Sequence, residues 1–252
     1  MMTDEARMDL FYSTALEEAL INKRGRFQFY LSTLFDGVDF KGARVLDVGG
    51  GSGILSAYAA CMGASSVVCL EPEAEGSSCG RMNSFAKFSA RLGLSDQVVY
   101  APTTFQSFEP GDSRFDVVML HNSINHLDED ACIHLRDDES ARGTYHAILA
   151  KVGSLAECGA KLVVRDCSNY NFFALLGVRN PLAPQIEWHK HQAPGVWAAL
   201  LMEVGFRNPR VKWLSYNRLY SAGKVLMGNR LVSYFLGSDF CLTMTKSDEE
   251  SL

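Results

Sequence analysis

Short apolar runs alternate along most of the chain with longer stretches of helical periodicity. Residues 43–48 form a branched apolar run of the kind that makes a fully buried strand. Ile54, Leu55, Tyr58, Ala59 and Met62 then repeat at the spacing of one helix face. Further runs predict strands over residues 66–71, 97–100, 115–120, 161–165 and 211–215. A last, alternating strand is predicted over residues 239–245. Helices are predicted between them over residues 77–92, 140–157 and 195–204, with Cys158-Gly159-Ala160 read as a turn. Regular strand–helix alternation predicts an α/β fold, a doubly wound sheet covered on both faces.

The alternation does not cover the whole chain. Residues 3–22 read as a helix with Thr3 or Asp4 as its N-cap and Leu10, Ala15, Leu16, Ala19 and Leu20 on its apolar side. Lys23-Arg24-Gly25-Arg26 breaks it, and residues 27–35 resume as a short aromatic helix. Residues 1–40 are therefore expected to form an N-terminal helical cap or lid over a main domain of residues 41–246. Within that domain, the aromatic, proline-broken stretch 169–194 is expected to be an insertion on the substrate side. Residues 217–235 read as helical in part, and residues 247–252 as a frayed acidic tail.

Composition narrows the class. The 252 residues are 47% hydrophobic and 21% charged, as in an ordinary soluble globular protein. A net charge of -5 disfavours a general nucleic-acid surface. No apolar run is long enough to span a membrane, and the N-terminus lacks the apolar core of a signal peptide. The seven cysteines form neither Cys-x-x-Cys nor a Cys/His zinc spacing. Cys61, Cys69 and Cys241 lie in apolar runs and read as reduced core residues, so a cytoplasmic setting is expected.

The chemistry begins after the first strand, in Val-Leu-Asp-Val-Gly-Gly-Gly-Ser-Gly-Ile, residues 45–54. A glycine turn between strand and helix leaves bare amides at a helix N-terminus, which attract an anion or a polar group. A flat ligand can also lie directly on such a backbone. A dinucleotide fingerprint needs G-x-G-x-x-G, but Gly49, Gly51 and Gly53 give G-x-G-x-G, and Ser56 stands where the third dinucleotide glycine would be. Glu71 ends the second strand 20 residues after Gly51, where one carboxylate can accept both hydroxyls of a ribose. That role suits either cofactor.

Asp47 two residues before the first glycine, followed by this turn, resembles motif I of the class I S-adenosylmethionine-dependent methyltransferases. Phe115-Asp116-Val-Val-Met-Leu-His121-Asn122 resembles their motif IV, and Leu201-Met202-Glu203-Val204-Gly205-Phe206 resembles their closing segment. The likeness runs from about residue 43 to 245. It implies a seven-stranded, mostly parallel sheet with an antiparallel last strand, and S-adenosyl-L-methionine as cofactor. It further implies that Gly49, Gly50, Gly51 and Gly53 hold the methionine part of the cofactor, while Asp47 orders the loop and the ligand's amino group. Glu71 would take the ribose. The family often has an acid for the adenine after the third strand; here Thr103 and Thr104 stand in that region.

The exit of the fourth strand should face the reaction, because ligands gather at the carboxyl ends of doubly wound strands. His121 is expected to contact the cofactor. His121 and His126 are the candidate bases, with His126 favoured. Asn122 and Asn125 are expected to touch substrate, joined from the insertion by Trp188, His189, His191 and Tyr170. His189 and His191 have no third ligand nearby, so no metal is expected. An Asp/Asn-Pro-Pro-Tyr motif and the paired glutamates of arginine methyltransferases are both missing. The reading is methyl transfer to a hydroxyl or amine of a small molecule by in-line displacement. The alternatives are a protein acceptor, or a non-catalytic module that keeps the fold as an interaction scaffold.

Overall fold

The computed structural model describes residues 3–72, 80–214, 226 and 228–248. Contacts group the chain into two units, residues 1–121 and 122–252.

In the first unit, helices α1 (Asp4–Glu17) and α2 (Arg24–Leu34) precede β1 (Arg44–Val48), α3 (Ile54–Cys61), β2 (Ser66–Leu70), α4 (Arg81–Arg91), β3 (Val98–Ala101) and β4 (Phe115–His121). The four strands lie in the order β3-β2-β1-β4 and all run parallel. Val45 through Val48 are buried, as a strand covered on both faces requires. Every residue of α3 from Leu55 to Cys61 is buried too, so this short apolar helix is held by packing rather than by an amphipathic face. The chain winds outward from β1 through β2 to β3, then returns to the other side of β1 with β4. That reversal opens a crevice at the carboxyl ends of β1 and β4, where this sheet class binds ligands.

The N-terminal helices pack inside this unit. Thr3 caps α1 by accepting from the amide of Ala6 at 3.2 Å. The buried side of α1 is Phe11, Tyr12, Thr14 and Ala15; of the apolar side read from the sequence it keeps Ala15 but not Leu16, which is 39% exposed. The Phe11 ring lies 5.8 Å from Tyr58 on α3 and 6.1 Å from Phe88 on α4. Aromatic contacts of this kind outrank the leucine stripe because each ring buries more area. Asp116, at the entry of β4, accepts from the Arg44 backbone at 2.8 Å and from its guanidinium twice at 2.9 Å, a structural clamp between neighbouring strands.

The second unit holds α5 (Glu129–His134), α6 (Glu139–Leu155), β5 (Ala156–Cys167), α7 (Phe172–Leu175), α8 (Pro194–Glu203), β6 (Phe206–Trp213), α9 (Arg230–Phe235) and β7 (Asp239–Lys246). Strand β7 lies between β5 and β6 and is antiparallel to both, pairing Val163 with Thr243 and Trp213 with Phe240. Trp197 and Tyr145, both fully buried, meet at 5.2 Å between α8 and α6. Gly153 lets the backbone after α8 come close to α6: a Cβ there would sit 2.7 Å from the Val204 carbonyl oxygen.

The strand order over the whole chain is β3-β2-β1-β4-β5-β7-β6, seven strands, mostly parallel, with the last antiparallel to its neighbours. Three local readings change. Cys158-Gly159-Ala160 lies inside β5, because Gly159 at φ 78° is absorbed within the strand rather than turning it. Strand β6 begins at Phe206 instead of residue 211. The sequence predicts no helix between residues 120 and 140, yet α5 forms there, capped by Asp128 on the Ala131 amide at 2.9 Å. The start of the helix read from residue 77, and most of the stretch 217–235 before α9, lie outside the described residues.

Candidate active site

After β1 the backbone takes left-handed values at Gly49, Gly51 and Gly53, with φ of 70°, 58° and 72°. Side chains other than glycine rarely adopt these. The turn is fastened to β2, because the amides of Gly49 and Gly50 donate to the Leu70 carbonyl at 2.8 and 3.0 Å. Gly50 is needed for close approach as well: a Cβ there would lie 2.4 Å from Cys69 Sγ and 2.8 Å from Asp47 Oδ2. A Cβ on Gly53 would meet the Phe85 ring at 2.3 Å.

The Gly51 peptide is held at both ends. Glu71 Oε2 accepts from its N–H at 3.0 Å, and the Tyr100 hydroxyl donates to its carbonyl at 3.0 Å. Tyr100 in turn stacks on Phe85 at 5.2 Å. Sequence reading placed Glu71 but missed Tyr100 and Phe85, which no motif marks.

Asp47 is fully buried beneath the turn. Its Oδ2 accepts from the Ser56 hydroxyl at 2.7 Å, while its Oδ1 has no partner. Burial pushes its carboxyl up to about 6; the Ser56 bond opposes this and the nearby Glu71 charge adds to it. A buried acid with one unanswered acceptor is costly unless a ligand group meets it. Ser56, read above only as a missing glycine, is the residue that orients this acid.

His121 ends β4 and is hydrogen-bonded to the Tyr30 hydroxyl of α2, with the rings edge to face at 5.9 Å. Thr104 Oγ1 caps a turn by accepting from the Ser107 amide at 3.2 Å, and Thr103 lies beside it with intermediate exposure.

In the second unit, a cavity of about 360 Å³ is walled by Asn122, Asn125, His126, Asp166, Lys190 and His191, among others. Asn122 takes a left-handed φ of 54°, its amide donates to the Arg165 carbonyl at 2.8 Å, and its side-chain oxygen accepts from the Arg165 guanidinium. Asn125 is fully buried, and its Oδ1 has no partner. His126 is half exposed and meets Glu129 through Nδ1 at 2.6 Å; Lys190 reaches the same carboxylate at 2.9 Å. Lys190, then His126, holds the Glu129 carboxyl below its ordinary value. His191 Nδ1 lies 2.9 Å from Oδ1 of Asp166, an acid only 1% exposed whose Oδ2 has no partner.

The cavity thus gathers Asn122, Asn125, His126 and His191 from the predicted set. It does not gather the others. Tyr170 packs on Tyr234 at 5.1 Å and under Arg230, and His189 is exposed beside the half-buried Trp188. Among the described residues, no cluster of His, Cys, Asp and Glu is arranged to hold a metal. Cys61, Cys69 and Cys241 are buried free thiols, and burial pushes their pKa values up, so they are unreactive core residues.

A family model described as "Ribosomal protein L11 methyltransferase (PrmA)" matches residues 31–142, just under half of the chain. No curated protein matches. An S-adenosylmethionine-dependent methyltransferase from Mesorhizobium loti is 13% identical, with 86% of this chain and 98% of that one covered at a TM-score of 0.56. The chain has the class I S-adenosylmethionine-dependent methyltransferase fold. The 1,6-didemethyltoxoflavin-N1-methyltransferase of Burkholderia thailandensis, solved with 1,6-didemethyltoxoflavin and S-adenosylhomocysteine bound, is 15% identical. There 96% of this chain and 87% of that one are covered, at a TM-score of 0.53. The methyltransferase fold also carries the [4+2]-cyclase SpnF, 16% identical over 88% of this chain and 80% of that one at a TM-score of 0.55. Fold alone therefore does not fix the reaction.

Proposed function

We propose that this enzyme transfers the methyl group of S-adenosyl-L-methionine to a hydroxyl or amine of a small molecule by in-line displacement. The observation that carries the reading is the meeting of two carboxylates at one glycine turn. Glu71 accepts from the Gly51 amide, and buried Asp47 keeps an unpartnered oxygen beneath the same backbone. A turn used only for strand–helix packing has no need of an acid whose ionisation burial opposes.

Bound S-adenosylmethionine supplies an electrophilic methyl group on a sulfonium. The chain supplies binding, orientation and a proton acceptor. Glu71 takes ribose hydroxyls, for which a carboxylate has enough lone pairs beyond the Gly51 bond. Asp47 answers the cationic amino group with its spare oxygen. The bare amides of the turn lie against the ligand. Thr103, Thr104 and His121 complete the cofactor contacts, and Tyr30 fixes the His121 ring from the helical cap of residues 1–40.

The acceptor occupies the cavity of the second unit. Its volume of about 360 Å³ falls in the range of small-molecule sites. His191 is the base we favour over His126. Its Nδ1 is committed to Asp166, which sets the ring's orientation and leaves Nε2 for the substrate proton. His126 is half exposed and sits in a lysine–glutamate cluster instead. Asn122 and Asn125 orient the acceptor.

Calorimetry with S-adenosylhomocysteine tests the cofactor: saturable binding is expected, with none for NAD. Absence of the first, or presence of the second, overturns the reading. The description of the matching family model favours a second acceptor class, a protein. Release of S-adenosylhomocysteine on adding purified ribosomal protein L11, and not with small phenols or amines, would select it.

A further inference from the structure

The second unit presents an inverted surface. Fourteen large apolar side chains are exposed among the described residues, and eight of them fall in just two segments, 170–182 and 226–235. Leu175 is 60% exposed, Leu176 59%, Leu182 51% and Leu231 70%. Scattered single residues of this kind are ordinary; a concentration is not. Helix α7 buries none of its residues.

Polar groups lie underneath. Asn171, Asn180 and Ser238 are fully buried. The Asn171 amide donates to the carbonyls of Tyr234 and Leu236 at 3.1 and 2.9 Å, and Asn180 donates to the Leu236 carbonyl at 2.6 Å. The Phe172 and Phe235 rings meet at 5.2 Å between α7 and α9. Two buried asparagines thus staple the segments together, and the leucines are turned outward on a fixed platform. Such an arrangement spends its hydrogen bonds inside and leaves its apolar area unused within the unit.

Charge singles out the same segments. Residues 170–182 and 226–235 contain two cations, Arg179 and Arg230, and no acid. The chain as a whole carries -5, so everything else carries a net -7. Arg179 and Arg230 are exposed on the platform itself.

We infer that this platform docks on an anionic phospholipid surface. Exposed leucine and aromatic side chains enter the headgroup boundary, and the arginines meet lipid phosphate. A second copy fits less well. Symmetric pairing through one patch brings the Arg179 and Arg230 of both copies into one interface with no acid from these segments to answer them. No described helix is long and apolar enough to cross a membrane, and the inferred contact is with the bilayer surface.

Co-sedimentation of the full chain with phosphatidylcholine vesicles, with and without phosphatidylglycerol, tests this. Binding is expected with phosphatidylglycerol, weakened by salt, and little without it. The Leu175→Glu/Leu176→Glu/Leu231→Glu variant should bind at least about tenfold less while melting as the parent does. Arg179→Glu/Arg230→Glu, which spares the leucines, should bind similarly weakly and guards against misfolding of the first variant. Failure of the parent to sediment with anionic vesicles overturns the inference, as does unchanged binding by both variants. A concentration-dependent dimer that the leucine variant dissolves would also overturn it, assigning the patch to a second copy.

Discussion

His191 and Asp166 form a pair 2.9 Å apart in the second unit, with the acid almost completely buried and the imidazole mostly so. The carboxylate also accepts from the Cys167 amide at 2.7 Å, so its position is set by backbone. A histidine anchored through Nδ1 in this way has a fixed ring and one defined nitrogen for chemistry.

The pair leads to a graded expectation. With an acceptor in hand, His191→Gln should lower turnover by about 10²-fold or more, with S-adenosylhomocysteine affinity nearly unchanged. Asp166→Asn should lower turnover less, since it changes the ring's partner and not the base itself. His126→Gln should have the smallest effect. Measured release of S-adenosylhomocysteine would rank them; full turnover in His191→Gln would remove this residue as the base.

Gly51→Val tests the turn. Its φ of 58° is unfavourable for any residue with a Cβ, by roughly 1–2 kcal/mol, and worse for a branched one. The variant should fold, melt at a lower temperature and show no detectable calorimetric response to S-adenosylhomocysteine. Unaltered affinity in the folded variant would take the turn out of the site.

Glu71→Ala removes the acceptor on the Gly51 amide as well as the proposed ribose contact. Hydrogen bonds to a charged group contribute roughly 1.5–3 kcal/mol each, so binding should weaken by at least about tenfold. Glu71→Gln should fall between the two. Equal affinities for all three proteins would refute the assignment.

What could be read in the sequence was local. Asp47, the glycines and Ser56 lie within ten residues, and their mutual contacts follow from one strand–turn–helix unit. The His191–Asp166 pair is separated by 25 residues, with His191 near the end of the irregular stretch 169–194, and no periodicity reports that fold-back. Tyr100 was equally silent, because its role is a hydroxyl on one carbonyl. Helix α5 left a signal that polarity masked: Asp128 followed by Glu129 and Asp130 is a capped, acidic first turn. Gly159 misled in the other direction, a turn residue by composition that stands at φ 78° inside β5, ahead of the stretch paired with β7.

The buried Asp47 makes the last prediction. Its carboxyl is raised from 3.8 to about 6 in the folded chain, chiefly by burial. Between those values the folded protein keeps a proton that the unfolded chain has released, so the fold loses stability as pH rises through the window. That difference corresponds to about 3 kcal/mol in this fully buried setting. Asp47→Asn cannot ionise, so from about pH 4 to 7 the difference in unfolding free energy should move by about that amount in the variant's favour. The price is function: the amide cannot offer a charge to the cofactor's ammonium, and S-adenosylhomocysteine should bind the variant more weakly at pH 7. In the parent, binding of that cation should drive a proton off Asp47, so affinity should fall as pH drops below about 6. Urea denaturation of both proteins across this range reads the first effect, and calorimetry in buffers of different ionisation enthalpy reads the second. A stability difference that stays flat, together with no proton release on binding, would show that Asp47 is ionised throughout and that its unpartnered oxygen carries no such cost.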